Sequence, residues 1–195
     1  MKYQLQILEN QYHTILVDPP WFYKSAGIKR PMHYDRMTTQ EIIDMKEILN
    51  PIIAKDFCHL WLWTTNPHLP EAFEVMKEWG FTYKSMVTWV KPQIGLGIWL
   101  RSVTEHLLFG VIGKKRVQPR KVTTAIFADR TKYCRKPEKA YDVIETLSFP
   151  PRLEVFAVQK REGWTSMIKD IKSDGNIGET VSIKARQMLI PESEL

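Results

Sequence analysis

The chain has 195 residues, 44% hydrophobic and 26% charged, which suits one globular domain burying roughly two-thirds of its unfolded surface. No apolar run is long enough to span a bilayer and residues 1–6 lack the apolar core of a signal peptide, so a cytoplasmic protein without membrane contact is expected. Cys58 and Cys134 make neither a disulfide framework nor a Cys-x-x-Cys pair, and the five histidines show no His-x-x-x-His spacing, so no metal site is expected.

The net charge of +6 is unevenly spread. Residues 113–139 hold ten basic side chains against Asp129 and Glu138, a window of +8 on a remainder of −2. Such a block is the footprint of a phosphate-backbone binder, here through Lys114, Lys115, Arg116, Arg120, Lys121 and Arg130. A solvated lysine-rich loop would have the same composition.

In chain order, residues 3–8 suggest an edge strand and residues 13–17 a buried one. The second runs into Asp18-Pro19-Pro20-Trp21. Two prolines remove two N–H donors and hold the chain extended, leaving the local carbonyls to accept. Beside a carboxylate and an indole, that corner suits a planar ligand with an exocyclic amine. It reads equally as a rigid turn with a capping Asp and a packing Trp.

Residues 22–37 have little aliphatic periodicity and interleave Tyr23 and Tyr34 with Lys24, Lys29 and Arg30, the composition of a lid over a nucleotide. Capping-box spacing between Thr38 and Glu41 predicts a helix over 38–49. Residues 57–65 form a bulky continuous run that suits a central strand covered on both faces. Asn66-Pro67 is expected to cap and start a helix that stops at Gly80.

Strands are predicted over 83–90 and 105–112, with a glycine-containing connection between them. A short strand over 123–127, a helix over 137–147, a break at Pro150-Pro151 and a strand over 153–158 follow. Residues 172–195 turn polar and read as a tail or small appended element after a domain over 1–171. Alternating strands and helices predict a three-layer α/β sandwich with a mostly parallel sheet. In such folds ligands bind beyond the carboxyl ends of the strands.

Several stretches, in order, resemble the MT-A70 family of S-adenosylmethionine-dependent adenine-N6 methyltransferases. They are Asp18-Pro19-Pro20-Trp21, His33-Tyr34-x-x-Met37, Leu62-Trp63-x-Thr65-Asn66, Trp89-Val90-Lys91 and Gly97-x-Trp99-Leu100-Arg101. Glu105-His106, Arg135-Lys136-Pro137, Leu153-Glu154-Val155-Phe156-Ala157 and Gly163-Trp164 complete the series. The resemblance covers about residues 12–166 and implies a Rossmann-like methyltransferase fold, S-adenosylmethionine as cofactor and an adenine amine as acceptor.

The same resemblance assigns roles. The Asp18 carboxylate and the Pro19 carbonyl would accept the two amine N–H groups, favouring a tetrahedral nitrogen with its lone pair aimed at the methyl. Asp18 then orients the amine and stabilises developing charge, since a carboxylate of ordinary pKa, about 4, does not deprotonate an amine outright. Trp21 or Tyr23 would stack on the base, and Pro20 completes the motif. Tyr34 belongs to the adenine pocket, and Arg101 and Glu105 lie near the substrate edge.

Lys136 looks toward the cofactor carboxylate or, within the basic block, toward phosphate. Glu154 and Phe156 lie on the cofactor strand, which with Asp18 and Lys136 makes the cofactor set. Trp63 and Asn66 read as core and cap.

Two places depart from the family pattern: Tyr133-Cys134 replaces a His-Ser, and Ile168-Lys169 replaces a Gly-Asn pair that holds the cofactor nucleoside. The expectation is an adenine-N6 methyltransferase acting on nucleic acid, DNA in preference to RNA, as a homodimer, with a partner subunit or alone. The alternatives are an RNA enzyme, or a catalytically silent nucleic-acid-binding partner subunit. Cytosine-N4 methylation ranks lower, because it usually pairs Ser with the two prolines.

Overall fold

The computed structural model describes residues 11–23, 36–97, 99–118, 121–131 and 135–168. Seven strands form one sheet: β1 (Thr14–Val17), β2 (Phe57–Thr64), β3 (Thr82–Val90), β4 (Thr104–Gly113), β5 (Ala125–Phe127), β6 (Arg152–Ala157) and β7 (Trp164–Ile168). Their spatial order is β5-β3-β4-β2-β1-β6-β7. Only β4 runs against the others, antiparallel to both β2 and β3. The expected α/β sandwich with a mostly parallel sheet is therefore the fold. The strand β7 was not anticipated from its short mixed sequence, Trp-Thr-Ser-Met-Ile.

Alternation along the central strands explains the three layers. Ile15, Val17, Leu60 and Leu62 belong to one buried cluster together with Ile42, Leu49, Val75 and Met76 from the helices on that face. Leu16, Trp61 and Trp63 turn the other way and pack with Ala140, Tyr141 and Ile144. Strands apolar at every position are thus strands with a helix layer on each side. No helix among the described residues is long and apolar enough to cross a membrane.

The helix expected over 38–49 has its capping box: Thr38 N–H donates to Glu41 Oε2 (2.8 Å) and Glu41 N–H to Thr38 Oγ1 (3.3 Å). It is split into α1 (Thr39–Asp44) and α2 (Lys46–Leu49). The cause lies in another helix, α3 (Leu69–Glu78): the indole of Trp79 at its C-terminal cap donates to the carbonyls of Ile42 (3.2 Å) and Ile43 (3.0 Å). An inserted side chain of this kind interrupts the helical ladder.

Gly80 follows α3 at φ +81°, the left-handed stop that its position predicted. Asn66 does not cap. It opens a 3-10 turn (Asn66–His68), and its side chain instead donates to Ser102 (3.2 Å) and Thr104 (3.0 Å) at the start of β4.

The helix α4 (Glu138–Leu147) covers the second face. The chain leaves β1 for β2 on one side and returns to β6 on the other, so a crevice opens between β1 and β6 at their carboxyl ends. Asp18 stands at that point. The edge strand expected over 3–8 and the tail over 172–195 lie outside the described residues.

Candidate active site

Asp18 follows Val17 directly, and its N–H donates to Val155 O of β6 (3.4 Å). Beyond it, the proline corner differs from its sequence reading in one respect. The Pro19 carbonyl already accepts the Trp21 N–H (2.9 Å), and the Pro20 carbonyl accepts the Met37 N–H (2.8 Å). A carbonyl has two lone pairs, so the Pro19 oxygen has one to offer a ligand. Pro20 serves to fasten the corner to residue 37.

Trp21 is placed otherwise than as a stacking plate. It is 6% exposed, its Nε1–H donates to the Trp63 carbonyl (3.0 Å), and its ring stacks on His68 at 5.4 Å. A ring filled on its faces by core packing has no face for a base. Tyr23 is the more open aromatic, 36% exposed, braced edge-on by His68 (4.4 Å) and through its hydroxyl by Thr65 (2.8 Å). Tyr34 lies outside the described residues.

Behind the corner runs a chain of alternating charge. Lys136 Nζ is 2.9 Å from Asp18 Oδ1 and 3.3 Å from Glu105 Oε2, and Lys91 Nζ closes on Glu105 Oε1. Burial works against the charge on Lys136, but the carboxylates of Asp18 and Glu105 outweigh it and raise its pKa. Burial likewise pushes Glu105 up, and Lys136 and Lys91 more than reverse that, so its pKa is lowered. Glu105, expected at the substrate edge, and Lys136, expected to face the cofactor, are therefore parts of one network with Asp18.

The crevice between β1 and β6 is lined by Asp18, Lys136, Glu138, Tyr141, Glu154 and Phe156, among others. Glu154 is 7% exposed, and Tyr141 Oη donates to its Oε1 at 2.7 Å. Burial raises the Glu154 pKa despite that hydrogen bond, with the nearby Asp18 adding to the rise. Phe156 sits at φ +64°, where the β6–β7 register shifts, a backbone state that a non-glycine residue rarely holds without compensation. Arg161 closes one side, over the Tyr141 ring at 3.6 Å and 2.6 Å from Glu138 Oε2.

The cofactor implied by the resemblance carries a sulfonium, an ammonium and a carboxylate. Asp18, Glu138 and Glu154 are acceptors for its cations and Lys136 is a donor for its carboxylate, so the donor set fits. Ile168 is the last residue of β7, which pairs in parallel with β6, and Lys169 lies outside the described residues.

The basic block is not one surface. Gly113, the end of β4, pairs with Phe57, the first residue of β2, so Lys114, Lys115 and Arg116 emerge at the edge opposite Asp18. Lys115 is fastened there: its carbonyl accepts His59 Nε2–H (3.1 Å) and its ammonium covers the Phe149 ring (4.9 Å). The antiparallel course of β4 removes these three from the site. Arg130 follows β5, which runs parallel to β3 and ends at the Asp18 edge, and its N–H donates to Gln93 (3.3 Å). Lys121 is exposed between the two edges, and Arg120 lies outside the described residues.

Arg101 is tied to the β3–β4 connection, where its Nε–H donates to the Gly95 carbonyl at 2.7 Å. Sequence reasoning passed over Lys91 and Tyr141. Lys91 stood in a quoted motif without a role, and Tyr141 lay beside the apolar positions of a helix. Only the partner strands show that their polar ends converge. Among the described residues no three His, Cys, Asp or Glu side chains are grouped to hold a metal ion.

The family model described as MT-A70 matches residues 12–169. The chain is 28% identical over 181 residues to the type II methyltransferase M.MunI of Mycoplasma sp, an alignment covering 82% of this chain and 77% of that protein. It is 28% identical over 205 residues to a probable N(6)-adenosine-methyltransferase MT-A70-like protein of Oryza sativa subsp. japonica, covering 99% of this chain and 27% of the relative. With the N(6)-adenosine-methyltransferase catalytic subunit METTL3 of Homo sapiens it shares 27% identity over 147 residues, 71% of this chain and 24% of that one. The chain thus spans about a quarter of the length of these last two relatives. A match that runs from the strand ending at Asp18 to the last described strand takes in most of the sequence, and it shows that the chain belongs to the MT-A70 family of S-adenosylmethionine-dependent adenine-N6 methyltransferases.

Proposed function

We propose that the protein methylates the N6 amine of adenine in nucleic acid, with DNA as the acceptor in preference to RNA, and that Asp18 and Pro19 hold the amine. The observation that carries this reading is the Asp18 carboxylate at the carboxyl end of β1, oriented by Lys136 at 2.9 Å and adjacent to a carbonyl with one lone pair in use. Two acceptors on one amine favour a tetrahedral nitrogen and hold it still, which is where positioning lowers the barrier. As positive charge develops on that nitrogen, the Asp18 carboxylate is the group placed to stabilise it. The proton then passes to solvent.

S-adenosylmethionine supplies the electrophilic methyl when bound. Lys136 would receive its carboxylate, and Asp18 and Glu154 its cationic end. Tyr23 is more exposed than Trp21 beside the corner and the better stacking surface of the two. Glu105 and Lys91 hold Lys136 in place from behind. The preference for DNA is supported by the relative that this chain matches over most of both lengths, the type II methyltransferase.

The deciding experiment incubates the protein with labelled S-adenosylmethionine and separate DNA and RNA pools, then identifies the methylated nucleoside. N6-methyldeoxyadenosine is the expected product. N6-methyladenosine from RNA alone would move the acceptor to RNA, and label in neither pool despite cofactor binding would favour a silent partner subunit.

A further inference from the structure

The connection between β3 and β4 leaves the sheet at the same edge as Asp18 and stays paired beyond the strands. Lys91 N–H donates to Val103 O (2.8 Å), Gly95 N–H to Ser102 O (2.9 Å) and Ser102 N–H to Leu96 O (3.3 Å). The turn is close enough to require glycine. A Cβ on Gly95 would lie 2.2 Å from the Ser102 carbonyl oxygen, and one on Gly97 would lie 1.8 Å from that of Leu100. The projection is therefore a shaped ribbon, and Lys91 at its base touches Glu105, the partner of Lys136.

Its tip is apolar. Trp99 is 95% exposed and Leu100 86%, whereas the other six tryptophans are at most 9% exposed. At the base of the tip, Arg101 is bound to the Gly95 carbonyl and the Arg130 guanidinium lies 2.8 Å from the position of a Gly95 Cβ. Residues 93–104 contain no carboxylate. An open indole on a ribbon that gathers two guanidinium groups at Gly95, at the sheet edge where Asp18 stands, combines a stacking plate with phosphate-binding charge. Tryptophan and arginine also mark protein–protein contacts, so the oligomeric state belongs to the test.

We propose that this ribbon is a nucleic-acid clamp. Trp99 stacks on an unpaired base flanking the target adenine, Leu100 packs against that base, and Arg101 and Arg130 meet the backbone phosphates on either side. The inference rests on the adenine-methylating reading and adds which part of the chain holds the neighbouring nucleotides. The clamp would supply a grip on the strand that a small domain otherwise lacks.

The test uses a fluorescein-labelled single-stranded oligonucleotide of about a dozen nucleotides containing adenine, within the site sizes such surfaces cover. With the wild-type protein, the oligonucleotide should quench the intrinsic fluorescence and shield the exposed indole from acrylamide. Trp99→Ala should weaken anisotropy-measured binding about tenfold or more, the size of one missing base stack. Trp99→Phe should restore most of it, and calorimetric binding of S-adenosylmethionine should stay unchanged in both.

Unchanged oligonucleotide affinity in Trp99→Ala would overturn the clamp. So would sedimentation as a dimer that Trp99→Ala converts to monomer, since the tip would then be a face between copies. A wild-type protein that binds with quenching but transfers no methyl to any pool would sink the adenine reading and leave the clamp standing.

Discussion

Lys136 Nζ lies 2.9 Å from the Asp18 carboxylate and 3.3 Å from that of Glu105, and none of the three side chains is more than 20% exposed. One ammonium is thus shared between Asp18 and the acid behind it. Removing it in Lys136→Met should cost about 3 kcal/mol, the scale of breaking a buried ion pair by deleting one partner. The sign of the pH dependence follows from the shifts. The Glu105 pKa is depressed, so its contribution is present above the unfolded value of about 4.3 and lost as pH falls through the folded one. The Lys136 pKa is raised, so its contribution is present below about 10.4 and lost as pH rises through the folded one. Urea midpoints should therefore show the variant's deficit in full near pH 7 and a smaller one near pH 4, where the Glu105 contribution begins to be lost. An equal deficit at both values would remove charge pairing as the cause.

Asp18→Ala should lower single-turnover methyl transfer by about 10²–10³-fold or more, the loss expected for one preorganised electrostatic group. Its far-UV circular dichroism should match the wild type, because Asp18 is only part-buried while the strand that precedes it is fully buried. Near-normal turnover would take Asp18 away from the amine.

The two aromatics of the corner should separate cleanly. Trp21→Ala empties a 6%-exposed site and should cost about 3–5 kcal/mol in stability. Tyr23→Ala should change stability by about 1 kcal/mol or less while weakening oligonucleotide binding. The check is chemical denaturation alongside anisotropy, and a Tyr23→Ala variant with wild-type affinity would rule out its stacking role.

The divided basic block makes its own prediction through salt. Lys114→Ala with Arg116→Ala should leave the slope of log affinity against log salt unchanged, because both lie at the edge away from Asp18. Arg130→Ala should reduce that slope by about 0.7–0.9, the share of a single phosphate that is no longer neutralised. Equal slopes for the two variants would mean that nucleic acid does not follow the Asp18 edge.

Glu154 combines a structural penalty with the cofactor-binding role proposed for it. Burial raises its pKa, so its ionisation costs stability; the cost is absent below about pH 4.3, grows as pH rises toward the folded value and is constant above it. Glu154→Gln keeps an acceptor for Tyr141 and should be more stable than wild type at pH 7, with the gain vanishing near pH 4. Calorimetry should show weaker cofactor binding in the same variant. Tighter binding would place the cationic end of the cofactor elsewhere.

Local physics made much of this protein legible in one dimension. A run of apolar residues ending in Asp18-Pro19-Pro20-Trp21 specifies a buried strand and the point where it must stop, since proline cannot continue a ladder. The Thr38–Glu41 box and Gly80 marked helix ends because capping is a matter of three or four neighbouring residues. The ordered family motifs carried the activity for the same reason, as each is a short local pattern. The splitting of the helix over 38–49 was invisible, because the indole that breaks its ladder comes from Trp79.

Charge was the least legible quantity, because its meaning depends on where a strand's ends lie. The sequence by itself determined the α/β alternation, the proline corner at the end of a buried strand and the existence of a basic block. Only the tertiary structure decided that β4 runs antiparallel and carries Lys114–Arg116 to the far edge, and that Lys136 returns across the crevice to Asp18. It also decided that Pro19 has one lone pair already in use and that Trp21 is core while Trp99 is not. Strand direction, side-chain pairing across a cleft and burial all come from interactions between residues far apart in the chain.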